Sequence, residues 1–433
     1  MSQPVITRFP PSPTGLLHIG GARTALFNYL FAAHNGGKMI LRFEDTDKER
    51  SKPEFEQDIL DVVHWLGIPY ETPPVYRQSE RLSVYQGHVA RLVDAGMAYE
   101  AEESENNPGK KVVRFKNPNS VITFADAVRE QVTFDTTDLG DFVIARSIDE
   151  PLYHLAVVID DHDMGVTHVI RGEEHISNTP RQILILEALG FARPEYAHVP
   201  LILAPDKSKL SKRHGAVSAT DYRAQGFIPE AIINYLALLG WNPGGEQEVF
   251  TLEELVKLFT LERIHKAGAV FGTEKLLWFN HEHLKRLSDQ EYGARLKDFS
   301  KSEFDARLVP LIKERAQTLT EATDLIKEYD FTGDVSCEPA LLLNKGKIAA
   351  EDASKHLQAV QAIILGVADE DFTAAHIKDA VWPYAEQEGR GAVLWPLRVA
   401  LSGREKSPDP FTIAALVGKD ETLKRIARAA ESF

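Results

Sequence analysis

Two short stretches about 190 residues apart carry the residue types that hold phosphate: Pro11-Ser12-Pro13-Thr14-Gly15-Leu16-Leu17-His18-Ile19-Gly20 and Lys209-Leu210-Ser211-Lys212-Arg213. The first follows an apolar run, Val5 to Phe9, and precedes helix-spaced Ala22, Leu26, Tyr29, Leu30 and Ala33, an order that reads strand, loop, helix. Gly20 and Gly21 let backbone approach a ligand, the N–H groups and dipole of a helix start favour negative charge, and His18 adds a side-chain donor. The second stretch sets two lysines three apart around a serine, behind the turn residues Ala204 to Ser208. When pyrophosphate is displaced from an α-phosphate, charge grows on the leaving group, and lysines placed there stabilise the transition state more than the ground state. Taken singly, the first stretch is equally a turn and the second a solvated loop. Taken in this order and context they define an ATP site.

The segments that must position these loops alternate in type. Strand-like Val5–Phe9 and Met39–Phe43 are interleaved with helical patterns at Ala22–Ala33, Pro53–Leu66 and Leu82–Ala95, as in a parallel α/β sheet. Such a sheet places ligands at the carboxyl ends of its strands, where Arg8 to Ser12 and Glu44 lie. Residues 100–145 are more polar and offer Val112–Phe115, Val121–Phe124 and Phe142–Ala145 as strands. Alternation resumes from 150 to about 205 and ends at the lysine loop. Pro229–Leu239 and Leu252–Phe259 read as helices and His265–Gly272 as a linker. From about residue 300 helical periodicity takes over, at Leu308–Ile326, Lys347–Ile364, Thr373–Glu388, Pro396–Ser402 and Thr422–Ala430. The expected division is 1–99, the first half of a nucleotide fold; 100–145, an insertion; 146–235, the second half with the lysine loop; 236–300, a linker domain; and 301–433, a helical domain.

A chain of 433 residues exceeds what one hydrophobic core organises, and 43% hydrophobic with 26% charged residues is an ordinary globular composition. No run approaches the roughly 18 apolar residues of a membrane span, and the amino terminus lacks the basic-then-apolar order of a signal peptide, so a cytoplasmic protein without a membrane partner is expected. Cys337 is the only cysteine, which excludes an internal disulfide and a multi-cysteine zinc site. The net charge of −15 counts against a nucleic-acid partner. Against that, Arg390, Arg398, Arg404, Lys406, Lys419, Lys424, Arg425 and Arg428 make a locally basic C-terminal stretch that can meet RNA, the alternative for each being a solvated helix face.

Further motifs narrow the reading: Arg42-Phe43-Glu44-Asp45-Thr46-Asp47, Tyr153-His154-Leu155, Asp160 to Met164, Val169 to His175, Asn178 to Gln182 and Leu277-Trp278-Phe279-Asn280. With these the chain resembles the class I glutamyl-tRNA synthetases of bacterial type, the first loop being similar to their HIGH signature and the lysine loop to KMSKS. The resemblance covers nearly the whole chain and is most specific up to about residue 280. It implies an α/β Rossmann-type nucleotide-binding catalytic domain with a reduced insertion meeting the acceptor end of tRNA, followed by an all-α C-terminal anticodon-binding region. It also implies ATP and Mg²⁺, L-glutamate and tRNA(Glu) as partners, and a monomer. Many relatives hold zinc in a longer insertion through cysteine and histidine ligands; Tyr99-Glu100-Ala101-Glu102-Glu103-Ser104 has no cysteine there, so zinc is not expected. The fourth position of the HIGH motif is Gly21 rather than histidine, a difference common among bacterial glutamyl enzymes.

Glutamate presents one ammonium and two carboxylates, so its pocket needs a carboxylate and two cations. The resemblance assigns Glu44 to the α-amino group and Arg8 and Arg171 to the carboxylates, which a planar fork binds bidentately, with Pro10, Ser12 and Tyr153 in the same pocket. It makes His18, Lys209 and Lys212 catalytic and puts Ser12, His18, Gly20, Glu174, Ile202, Lys209 and Lys212 around ATP; no residue is assigned to a metal. Arg315, within Glu314-Arg315-Ala316-Gln317-Thr318-Leu319, falls where an arginine inspects the third anticodon base. Each has a rival role: an ion pair with Lys48 or Arg50 for Glu44, an ion pair with Glu173 or Glu174 for Arg171, a cap or turn for Ser12, a plain buried strand for Ile202, and an exposed helix charge for Arg315. His154 and His175 read as structural histidines.

The activity implied is ATP-dependent attachment of glutamate to tRNA(Glu) through a glutamyl-adenylate, then transfer to the 2′-OH of the terminal adenosine, with tRNA bound before activation. Three alternatives stand beside it. A glutaminyl enzyme is disfavoured by Ser12 and Thr14, which follow the glutamyl pattern, and by a helical rather than β-barrel C-terminal half. A glutamyl transferase acting on queuosine would resemble the catalytic half alone. A non-catalytic tRNA-binding paralogue would have less reason to keep His18, Lys209 and Lys212, and charging of tRNA(Gln) as well as tRNA(Glu) stays open.

Overall fold

Short β-branched and aromatic runs build the first sheet. β1 (Ile6–Phe9) pairs in parallel with β2 (Lys38–Phe43), Arg8 opposite Ile40, and β3 (Glu71–Arg77) adds in parallel beyond β2. The crossovers run through α1 (Ile19–His34) and α2 (Pro53–Trp65), and α3 (Leu82–Asp94) follows. Helix α1 buries Ile19, Ala22, Ala25, Leu26, Phe27 and Leu30 completely, at 0% exposure, because it has packed neighbours on several sides. The computed structural model describes residues 4–103, 109–147, 150–211, 213, 218–329, 331, 333 and 335–433. They form two compact units, residues 1–286 and 287–433.

In the first unit β4 (Ala98–Glu102), β5 (Lys111–Phe115), β8 (Phe142–Ser147) and β9 (Glu150–Pro151) make an antiparallel sheet in that order. The hairpin β6 (Val121–Asp126) and β7 (Glu130–Asp135) leaves that sheet and joins another. There the order is β10-β11-β6-β7, with β10 (His168–Gly172) and β11 (Glu195–Val199) parallel and Asp126 at the β6 contact with Tyr196. β1 adjoins β10, since Thr167 N–H donates to Ile6 O at 2.9 Å, so the two parallel sheets meet along the strand that carries Arg8. Helices α4 (Tyr153–Asp163) and α5 (Thr179–Ala188) flank them. β12 (Ile202–Leu203), α6 (Ala219–Ala224), α7 (Pro229–Leu238), α8 (Leu252–Leu258), β13 (Ala269–Val270) and α9 (Thr273–Arg286) complete the unit.

The second unit is helical among its described residues: α10 (Asp289–Ser300), α11 (Val309–Lys313), α12 (Leu319–Glu328), α13 (Pro339–Leu342), α14 (Ala350–Leu365), α15 (Ala374–Glu388), α16 (Arg390–Ser402), α17 (Pro410–Val417) and α18 (Lys419–Ala430). Its core includes Leu357, Val360, Ile364, Leu397, Leu401 and Ile426.

Three sequence expectations change. The stretch His265–Gly272 is not only linker, because β13 pairs in parallel with β12 and Ala269 N–H donates to Leu201 O. The helix expected over Leu308–Ile326 is two, because Thr318 turns extended and caps α12 by accepting from Glu321 N–H at 3.1 Å. Arg425 is no RNA-facing charge: it is 2% exposed and its guanidinium donates to the carbonyls of Leu401, Phe331 and Gly333 and to Glu421.

Candidate active site

His18 is the N-cap of α1. Its Nδ1 accepts the Gly20 N–H at 3.0 Å, so the neutral ring carries its proton on Nε2. A Cβ on residue 20 would come within 3.3 Å of that Nδ1, a tight contact. The loop is tied to the chain beyond the lysine stretch: His18 and Ser218 form an antiparallel bridge, and Ala219 N–H donates to Leu17 O at 3.0 Å. Asp58 on α2 fastens both sides, its Oδ2 accepting Leu17 N–H at 2.8 Å and its Oδ1 the Thr220 hydroxyl at 2.6 Å. The two phosphate-type loops therefore flank one space. Lys209 stands exposed where Leu203 and Lys209 bridge, after a tight turn in which Lys207 takes φ 63° and Asp206 Oδ1 accepts Ser208 N–H. Lys212 lies outside the described residues.

Beneath the loops sits a buried charge network. Arg8, 1% exposed, donates from Nε to Asp161 at 3.3 Å, and Arg42, 0% exposed, donates to Asp161 Oδ1 at 2.8 Å and Glu44 Oε1 at 3.2 Å. Asp160 accepts Gln78 Nε2 at 2.9 Å, Arg81 Nε at 2.8 Å and the Tyr85 hydroxyl at 2.9 Å. Burial alone would raise the Asp161 carboxyl, yet Arg8 and Arg42 bring it below its ordinary value. Glu44 goes the other way: burial pushes it up to about 6, against the pull of Arg42 and Arg8. Its ion-pair partner is Arg42 rather than Lys48 or Arg50, and Arg50 pairs with Asp47.

Arg171, 5% exposed, lies on β10 and has no carboxylate within ion-pair distance among the described residues, neither Glu173 nor Glu174. Its Nε donates to His198 Nε2 at 3.1 Å and its Nη2 to Thr179 Oγ1 at 2.8 Å, both neutral partners. Burial lowers its pKa, and nearby Arg8 adds to the lowering while Tyr153 opposes it. Glu173 instead bridges Arg129 and accepts Leu201 N–H at 2.8 Å, bracing the turn into β12. Arg23 of α1 braces the same turn, donating to the carbonyls of Pro200 and Leu239; burial lowers its pKa to about 10, with Glu174 and Glu173 opposing.

These elements surround a cavity of about 640 Å³ lined by Arg8, Pro10, Ser12, His18, Gly20, Glu44, Tyr153, Arg171, Glu174, Ile202 and Lys209, so every site residue expected in the catalytic half and described here meets in one place. Ser12 and Glu174 are exposed within it, and Ile202 is buried at 5%. A Cβ on residue 172 would come within 2.1 Å of the Glu174 carboxylate, so Gly172 makes room for that side chain. His175, expected to be structural, also lines the cavity: its Nδ1 is 3.2 Å from the Tyr153 hydroxyl, and burial holds its pKa down at about 4. His154 is likewise lowered to about 4 by burial. Sequence reasoning missed Asp58, His198 and Asp126, whose positions gain meaning only across strands and loops. Arg315 belongs to the second unit, in the link between α11 and α12, exposed, with Nη1 donating to the Tyr329 hydroxyl at 2.6 Å and its guanidinium over that ring at 5.6 Å.

Residues 4–107 and 100–278 match the family described as tRNA synthetases class I (E and Q), catalytic domain, and residues 273–430 match an anticodon binding domain. The chain is 39% identical to the glutamate–tRNA ligase of Desulforamulus reducens, with 98% of each chain covered, and 41% identical to that of Carboxydothermus hydrogenoformans, with 98% of this chain and 99% of that one covered. The crystal structure of a glutamate tRNA ligase from Elizabethkingia meningosepticum in complex with its amino acid is similar with a TM-score of 0.88 at 34% identity, over 99% of this chain and 100% of that one. Loops, charge network and full-length similarity agree, and the chain belongs to the class I (E and Q) tRNA synthetases, in the family of the glutamate–tRNA ligases.

Proposed function

We propose that the chain activates L-glutamate with ATP and transfers the glutamyl group to the terminal adenosine of tRNA(Glu). The observation that carries the substrate is Arg171, a buried guanidinium with neutral partners only, in the cavity that also holds buried Arg8. Arg8 has the Asp161 carboxylate beside it, but Arg171 has no acidic partner among the described residues, so its burial is costly until an anion arrives, and a carboxylate of the substrate supplies the missing charge bidentately. In this reading Glu44 receives the ammonium, while Pro10, Ser12 and Tyr153 bound the pocket.

ATP would lie along the other side, adenine against Ile202, ribose toward Glu174, phosphates between His18, Gly20, Ser12, Lys209 and Lys212. A carboxylate oxygen of glutamate attacks the α-phosphorus and the bond to pyrophosphate breaks. His18, through its Nε2 proton, and Lys212, supported by Lys209, stabilise the charge that grows there. The ribose hydroxyl of tRNA then attacks the acyl carbon of the mixed anhydride, and AMP leaves. No group of three or more His, Cys, Asp or Glu able to hold an ion occurs among the described residues; Mg²⁺ of this class of reaction is held largely by substrate phosphates, where it would neutralise charge. Arg315, exposed and braced on Tyr329, is suited to an unstacked anticodon base. A monomeric, cytoplasmic enzyme is part of the same reading.

The experiment is charging of purified tRNA(Glu) with labelled glutamate and ATP, run beside tRNA(Gln). Glutamyl-tRNA(Glu) is expected, and its absence with cognate, modified tRNA overturns the proposal. Lys212→Ala is expected to raise the activation barrier by about 2–4 kcal/mol, the scale of one lost charge-stabilising donor.

A further inference from the structure

Three neighbouring strands bring Asp126, His198 and Arg171 together. His198 on β11 stands opposite Arg171 on β10, and Asp126 ends β6 on the other side of β11. In a sheet, residues placed across from each other on one face are within side-chain reach. His198 Nδ1 lies 2.6 Å from Asp126 Oδ2, both side chains at 0% exposure, and its Nε2 lies 3.1 Å from Arg171 Nε. Asp126 is held as a carboxylate: Oδ1 also accepts the N–H groups of Val128 at 3.0 Å and Arg129 at 2.8 Å, and Oδ2 that of His198 at 3.1 Å. A carboxylate accepts only, so the proton of the His198 ring sits on Nδ1, leaving Nε2 with a bare lone pair. Arginine is donor only, and that lone pair is the acceptor its Nε–H requires. Thr179 Oγ1 takes the adjoining Nη2 hydrogen. One edge of the guanidinium is thereby fastened, and no protein acceptor lies within hydrogen-bond distance of Nη1 among the described residues.

We propose that Asp126 and His198 are positioning residues for substrate recognition: the carboxylate sets the histidine tautomer, the histidine fixes the Nε edge of Arg171, and the fixed guanidinium presents its remaining donors to a carboxylate of the amino acid. The pair replaces the acidic partner that a buried arginine ordinarily has, so the cation is oriented without being neutralised and its charge stays available to the ligand. Asp126 comes from the β6–β7 hairpin inside the 100–145 segment, which ties that hairpin to the orientation of Arg171 through His198. Burial holds the His198 ring below its ordinary pKa despite Asp126, consistent with a neutral acceptor.

The proposal rests on Arg171 meeting a substrate carboxylate, and its tests separate the two ideas. His198→Gln keeps an oxygen near the Nε2 position that can accept from Arg171. His198→Asn reaches only to the Nδ1 position and leaves the Arg171 Nε–H without its acceptor. KM for glutamate is expected to rise about tenfold or more in His198→Asn and to stay near wild type in His198→Gln, with KM for ATP unmoved in both. Equal glutamate KM values in the two variants, or an ATP KM that moves with the glutamate one, overturns it. Should His198→Asn fail to fold, nitrogen-15 histidine spectra of the whole wild-type protein, with the His198 signal identified by its loss in His198→Gln, give an independent reading. A ring protonated on Nδ1 supports the relay, and one protonated on Nε2 overturns it. Wild-type protein that charges no tRNA with glutamate refutes the function and not the tautomer.

Discussion

His18 caps α1 through Nδ1 and, in the proposed mechanism, acts through Nε2, and the two roles can be separated. Asparagine keeps an acceptor near Nδ1 for the Gly20 N–H but has nothing at Nε2. His18→Asn is expected to melt close to wild type while raising the activation barrier by about 3 kcal/mol, read by pyrophosphate exchange. His18→Ala is expected to lose about 1 kcal/mol of stability as well, the value of an N-cap, seen in denaturant titration. Glu44 gives a pH dependence. Its pKa in the fold, about 6, lies above its ordinary value, so its ionisation opposes folding: that contribution to stability is full below the unfolded value and is lost as pH rises through about 6. In the proposed function ligand binding has the opposite sign, because there the ammonium needs the carboxylate. At saturating ATP, kcat/KM for glutamate is expected to fall as pH drops below about 6, and Glu44→Gln is expected to be weak at every pH and to lack that limb.

Among the elements, the clamp on Asp58 joins the HIGH-like loop to the start of α6. Removing it leaves Leu17 N–H and the Thr220 hydroxyl without their acceptor, and Asp58→Ala is expected to cost about 1–3 kcal/mol in denaturant titration and to slow activation, though the side chain contacts no substrate in the proposed mechanism. An unchanged activation rate would mean that the two loops keep their places without it. The β6–β7 hairpin shows why element type is less informative than element neighbour. Val121–Phe124 reads in sequence as an ordinary strand, yet the contact of β6 with β11 buries the Asp126 side chain against His198.

At the scale of the molecule, two units with their own cores predict departure from a single two-state transition. Arg425 tests this, since it fastens three carbonyls inside the second unit. Arg425→Ala is expected to destabilise by about 3 kcal/mol, and calorimetry should show the loss in one transition while ATP–pyrophosphate exchange at low temperature is kept. A uniform shift of all unfolding would mean that the units melt together. The net charge of −15 means that tRNA must meet local basic surface, so the KM for tRNA is expected to rise steeply with salt.

The sequence alone determined the strand–turn–helix order of the first loop, the lysine loop and the change to helix after residue 300, because these depend on local order, and its resemblance to a family picked out the Glu44, Arg8 and Arg171 set. Their convergence on one cavity, and the partners of each, were decided only by tertiary structure. Nothing near Arg171 in the chain marks His198 as its acceptor or Asp126 as the group that sets the histidine's proton. Those relations arise from which strands lie side by side, and strand order is a property of the whole fold. The same holds for charge: Arg171 and Arg425 are both arginines, but one is buried facing a cavity and the other is buried against backbone carbonyls, and burial with its partners is what suits the first to the recognition proposed for it and makes the second a clamp.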